Sequence, residues 1–234
     1  IQFMLDYPVI FVRQPREGVP HVYIGFPGNL SPYSGMNAAG LSLSSNEADP
    51  LDPTQHDLQG RSHVQMQAHL LQHAHSLAEA RAIIEAEDHM SVEIIVAADG
   101  NARDAAVFEM TSEHIGVRPM DRGVVFATNH FEAPETREYD EEPVGSSSRL
   151  RFQRLAQLTL PSGPDSLYGR FTPGLLIDGV LRDRTNPETG VTYGADVFDN
   201  DESIATNGAL YQIVYDPERL LFWVAAGGLP VPSQ

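Results

Sequence analysis

Cysteine is absent from this chain, and so is lysine. Without cysteine these residues hold no disulfide and no thiolate metal site, and the redox compartment cannot be read from them. All 15 basic residues are arginine, against 32 acidic ones, for a formal charge of −17. Such a balance argues against nucleic acid or an anionic membrane as partner. No apolar run approaches the roughly 18–20 residues of a membrane span. A signal peptide is also missing, and the chain opens at Ile1-Gln2-Phe3 without methionine. That start reads as a truncated or processed end and leaves the compartment open.

What is present suits a soluble globular protein. The 234 residues are 41% hydrophobic and 20% charged, enough for one domain, or at most two, with a sizeable core. Pro8–Arg13 and Val19–Phe26 read as a hairpin, and Leu41–Ser44 as a further strand. Asn46–Gly60 carries Pro50 and Pro53 and reads as a surface loop. Val64–Glu87 shows helical spacing of apolar residues, with a second start at Ser76 followed by Glu79, a capping-box pattern that divides it in two. Val92–Ala97, Ala105–Met110, His114–Pro119 and Gly123–Thr128 read as strands. Ser146–Ser148 reads as the cap of a helix over Arg149–Leu158, and Pro173–Arg182 as a short helix. Ala209–Tyr215 and Leu220–Ala225 form a closing hairpin, and Gly227–Gln234 a tail. Strands in adjacent pairs, then helices, then strands indicate an α+β class with layered sheets. Several strands are apolar on both faces, so the sheets should be covered on both sides.

The densest signal is Gly25-Phe26-Pro27-Gly28 with Ser34-Gly35-Met36-Asn37-Ala38-Ala39-Gly40-Leu41. Four glycines and two prolines fall within sixteen residues there. Asn37 is expected in a tight connection between two strands, with its backbone N–H available to a cleft. Asn129 follows the apolar run Gly123–Thr128, where its side-chain amide could donate into a cleft or bond its own backbone. Arg149 opens a helix, where the macrodipole disfavours a cation, and so calls for a carboxylate or a functional use. Asp6 lies within Phe3-Met4-Leu5-Asp6-Tyr7, and a carboxylate among apolar neighbours wants a partner, for which an arginine such as Arg149 is a candidate. His69 and His73 stand one helical turn apart, a spacing that zinc can use, yet no glutamate follows His69. Asp196, Asp199, Asp201 and Glu202 match no complete calcium loop. The motif Gly-x-Ser-x-Gly does not occur.

Together these stretches resemble the N-terminal-nucleophile (Ntn) hydrolases of the isopenicillin-N acyltransferase type, relatives of choloylglycine hydrolase. To the glycine-rich stretch add Ala127-Thr128-Asn129-His130-Phe131, Ser146-Ser147-Ser148-Arg149-Leu150, Ala209–Pro217 and Leu221–Gly227, in order along nearly the whole chain. The resemblance implies an αββα sandwich, two stacked antiparallel sheets between helical layers. It implies hydrolysis or acyl transfer at a linear amide in a small acylated amine, with no cofactor and no resident metal. It implies an N-terminal cysteine nucleophile, exposed by self-cleavage, whose own amine is the base. It places Asn37 (backbone N–H) and Asn129 (side chain) in the oxyanion hole, Asp6 near the nucleophile, and Arg149 at a later arginine.

The cysteine that this mechanism needs is not among the 234 residues. The expectation is a single Ntn-hydrolase-like domain lacking the segment that bears the nucleophile. Two other readings compete with it: a binding protein that keeps the sandwich without catalysis, and a metal hydrolase built on the histidine helix. The acyl group, the amine and the oligomeric state are left open.

Overall fold

The computed structural model describes residues 6–29, 32–52, 56–140, 143–194, 201–206 and 209–226. They fall into two compact units. One comprises 9–144 and 215–221, the other the described residues within 1–8, 145–214 and 222–234.

The larger unit is a seven-stranded antiparallel sheet in sequential order. Its strands are β1 (Val9–Arg13), β2 (His21–Gly25), β3 (Ser34–Asn37), β4 (Leu41–Asn46), β5 (Glu93–Asp99), β6 (Asp104–Met110) and β7 (Ile115–Pro119). Between β4 and β5 the chain makes two helices, α1 (His63–His73) and α2 (Leu77–Ala86). Division at Ser76 is as the capping pattern indicates, for Ser76 accepts from the Glu79 N–H at 3.2 Å. The Glu79 carboxylate reaches back one residue further, to the His75 N–H at 3.0 Å.

Period-two alternation gives the sheet two apolar faces. Leu41, Leu43, Ile95, Ala97, Ala106, Phe108 and Met110 pack against Met66, Leu70, Leu71, Ala80 and Ile84 of the two helices. Each large side chain buried there contributes about 1.5–3 kcal/mol. On the opposite face Val92, Ile94 and Val107 pack with Phe131, Val125 and Ala127. The sheet is therefore covered on both sides, as its apolar strands require.

Two local expectations are corrected. Ser34–Asn37 is itself a strand, buried throughout, rather than a connection. Gly35 is needed there: a Cβ would stand 2.5 Å from Leu71 Cδ1 and 2.8 Å from the Val22 carbonyl oxygen. At the turn that follows, Gly40 takes φ +87° and its N–H closes onto the Asn37 carbonyl at 3.1 Å. Gly123–Thr128 is not a strand; its residues are irregular and mostly half-buried. The Arg118 guanidinium takes the Phe126 carbonyl at 3.0 Å, so a side chain stands where a ladder partner would be.

The smaller unit holds α3 (Ser146–Thr159), α4 (Pro173–Leu176) running into a π turn (Ile177–Leu181), and most of the two-stranded sheet of β8 (Tyr211–Asp216) and β9 (Leu221–Ala226). The serines of α3 occupy its first turn instead of capping it. Gly145 is the N-cap, without a side-chain bond. Arg154 is nearly buried and organises this unit. Its guanidinium forks onto Asp183 at 2.9 and 2.7 Å and also meets Asp165 and Gln157. These contacts, the Asp183 bonds foremost, hold its pKa above the ordinary value. The α+β class stands, and among the described residues no helix is long and apolar enough to cross a membrane. The tail Gly227–Gln234 and the loop residues Asp196 and Asp199 lie outside the described residues.

Candidate active site

Strands β4 and β5 pair antiparallel, with Asn46 opposite Ile94. The end of β4 and the start of β5 thus lie side by side. There the chain leaves an open cavity of about 230 Å3, lined by Tyr33, Ser45, Asn46, Glu47, His63, Val92, Glu93 and Asn129. Asn46 shares a sheet face with Ile94, the face on which the loop through Phe131 packs. Glu93 falls on the other face, with Ile95 and the helices. The cavity therefore wraps around the strand ends.

Asn129 enters this cavity from the long loop after β7. Its side-chain amide donates to the Glu47 carbonyl at 2.7 Å. The loop is clamped from below by Glu109, a fully buried carboxylate on β6. Glu109 accepts from Arg118 Nε at 2.6 Å, from the N–H groups of Glu132 and Ala133 at 2.9 and 2.8 Å, and from the Thr136 hydroxyl at 2.9 Å. Asp140 accepts from the Phe131 N–H, and His130 sits between Thr128 and Glu132. Each residue flanking Asn129 is thus hydrogen-bonded in place. Such support is what a donor needs if it is to be fixed before the reaction.

Asn37 stands elsewhere. It ends β3 beside Leu41, whereas Asn46 ends β4. Five residues of strand separate Leu41 from Asn46, about 16 Å at the usual rise. The Asn37 side chain is buried and committed. It donates to the carbonyls of Leu71 and Ala74 at 3.1 and 2.8 Å and accepts from the N–H groups of Ala39 and Leu41. It ties the β3–β4 turn to the end of α1. The structure thus gathers Asn129 with Asn46, which ends β4 rather than opening a loop, and not with Asn37. A signal for Asn46 was present in the alternation Leu41-Ser42-Leu43-Ser44-Ser45-Asn46, where Ser42, Ser44 and Asn46 share one face and Ser45 falls on the other with the leucines.

Asp6 and Arg149 belong to the smaller unit. Asp6 is exposed. Arg149 is also exposed and donates to Glu188 at 2.6 Å, so its carboxylate partner is Glu188. On α1 the rings of His69 and His73 lie 4.5 Å apart, and His69 Nε2 stands 3.2 Å from Glu87. Burial lowers the His69 pKa. Among the described residues no group of three or more His, Cys, Asp or Glu side chains is placed to hold a metal ion.

Antiparallel layering, a clamped asparagine and a cavity at the ends of two interior strands define an α+β protein with a polar site where β4 ends and β5 begins. Residues 5–166 match the model of the acyl-coenzyme A:6-aminopenicillanic acid acyl-transferase family, and the chain belongs to that family. No curated protein matches the sequence. Among solved structures it is similar to a conjugated bile acid hydrolase from Clostridium perfringens, at 16% identity over 54% of this chain and 46% of that one, with TM-scores of 0.42 and 0.43 to the crystal structures of two variants. It is also similar to the Caenorhabditis elegans ortholog of N-acylethanolamine-hydrolyzing acid amidase, at 13% identity over 65% of this chain and 67% of that one, with a TM-score of 0.48. The chain thus spans less than half the length of the bile acid hydrolase it matches.

Proposed function

We propose that this protein hydrolyses or transfers the acyl group of a linear amide at the cavity formed by Asn46, Glu47 and Asn129. Family membership supports the reaction class. The observation that carries the site is Asn129, held by the Glu47 carbonyl at 2.7 Å on a loop pinned by Glu109. A carbonyl attacked in this cavity develops an oxyanion, and a fixed amide donor stabilises it where no solvent reorganisation is required. Asn46 is the neighbouring side chain able to supply a second donor. The nucleophile in this reading is an N-terminal cysteine, activated by its own α-amine, that the 234 residues do not contain.

Asp6 and Arg149 are kept as candidates on the resemblance alone. The experiment is turnover of a panel of fluorogenic N-acyl amides by the complete protein, before and after Asn129→Ala. Cleavage that falls about 100-fold supports the site, and cleavage unaffected by the change removes it.

A competing reading is a binding protein with the same fold. A complete gene product with no cysteine, which retains acylated amines uncleaved over long incubation, would select that reading.

A further inference from the structure

Glu93 is the unusual group of the cavity. It is 5% exposed, and its one hydrogen bond among the described residues is a long one, from Gln67 Nε2 at 3.4 Å. Gln67 is fully buried on α1, and its Oε1 has no hydrogen-bond partner among the described residues. When Glu93 is ionised, two buried side chains thus present acceptor oxygens that the described residues leave short of donors, at a cost native folds normally avoid. Among the described residues the other charged groups facing the cavity are Glu47 and, when protonated, His63, and no arginine lines it. Across β6 the partner of Glu93 is the uncharged Met110. Helix α2, which also packs on β5, turns Ala80 and Ile84 to the sheet. The Tyr33 ring stands on the cavity wall, 6.0 Å from that of His63.

An anion is disfavoured in these surroundings. A group that only donates is matched by them, and an ammonium is such a group, with N–H donors and no acceptor. It also suits the face of an aromatic ring. We infer that Glu93, backed by Gln67, anchors a protonated amine in this cavity, so that the substrates are acylated amines carrying a basic nitrogen. Placing that nitrogen on a substrate rests on the amide-bond reading; the binding of the amine does not.

Burial raises the Glu93 pKa to about 8, opposed by the Gln67 hydrogen bond. An alkylammonium must therefore displace a proton below that pH. The test is calorimetric titration of the full chain with n-butylammonium, n-butanol and n-butyrate from pH 6 to 9. The expected result is butylammonium affinity rising about tenfold per pH unit up to about pH 8 and then levelling. It should exceed that of butanol by about tenfold or more at pH 8, with butyrate weakest. Glu93→Gln should abolish the preference for the cation and leave butanol binding unchanged. Equal affinity and equal pH slope in wild type and E93Q would overturn the inference, as would preference for butyrate. Should E93Q fail to fold, the three-probe pH series on wild type decides alone. None of the probes can be cleaved. Amine binding without amide turnover would keep this inference and remove the amide reading, and turnover indifferent to substrate charge would do the reverse.

Discussion

Asn129 donates its side-chain amide to the backbone carbonyl of Glu47 at 2.7 Å, joining segments 82 residues apart. The contact brings the long loop after β7 to the end of β4, where Asn46 stands. The candidate site is therefore made by a strand end and a loop rather than by any one motif.

A first prediction concerns the clamp beneath the loop. Glu109→Ala leaves Arg118 and three further donors without their common acceptor in a buried place. Loss of one partner from such a group costs about 3–5 kcal/mol. Thermal melting should show it at about 2–4 °C per kcal/mol in a chain of this size. A melting point within a degree of wild type would show that Glu109 is not the anchor.

The buried arginine of the smaller unit should behave alike. Arg154→Leu strands Asp183, which is itself only 12% exposed. A loss of about 3–5 kcal/mol in urea unfolding is expected. Arg154→Lys should recover only part of it, because an ammonium cannot fork onto both Asp183 oxygens.

Arg149 offers the contrast. Its pair with Glu188 is about half-exposed at both ends. Pairs of that kind contribute about 0–1 kcal/mol. Arg149→Ala should therefore leave stability nearly unchanged, and a large fall in turnover would mark a functional role. Unchanged turnover would remove Arg149 from the candidates.

Glu93 makes stability depend on pH. Its pKa rises from 4.5 to about 8 on folding, so the folded state holds the proton more tightly than the unfolded one. Its contribution is full below the unfolded value and falls as pH climbs toward the folded one, at up to about 1.4 kcal/mol per pH unit. Glu93→Gln should remove that slope. Urea unfolding at pH 5, 6.5 and 8 measures the difference between the two proteins. Parallel profiles would contradict the burial of an ionisable Glu93.

Much of the fold could be read in the chain. The helix pair split at Ser76, the apolar strands β5 and β6 and the closing hairpin all show in periodicity and capping. Ser34–Asn37 did not show as a strand, because glycine and asparagine have low strand propensity and its placement follows from close packing on Leu71. Gly123–Thr128 showed as one falsely: its composition suits a strand, yet a ladder needs a partner that propensity cannot supply. Asn129 was legible as a polar residue at the end of an apolar run. Asn46 showed only as a polar position of an alternating run; its closeness to Asn129, more than eighty residues along the chain, is set by the folded sheet and loop.

The central claim is that Asn129 completes an amide-cleaving site. It is tested most directly by single-turnover kinetics of the complete protein, with and without Asn129→Ala, on an N-acyl amide that the wild type cleaves. The rate should fall about 100-fold or more, with substrate binding and melting point little changed. A rate within twofold of wild type would contradict it.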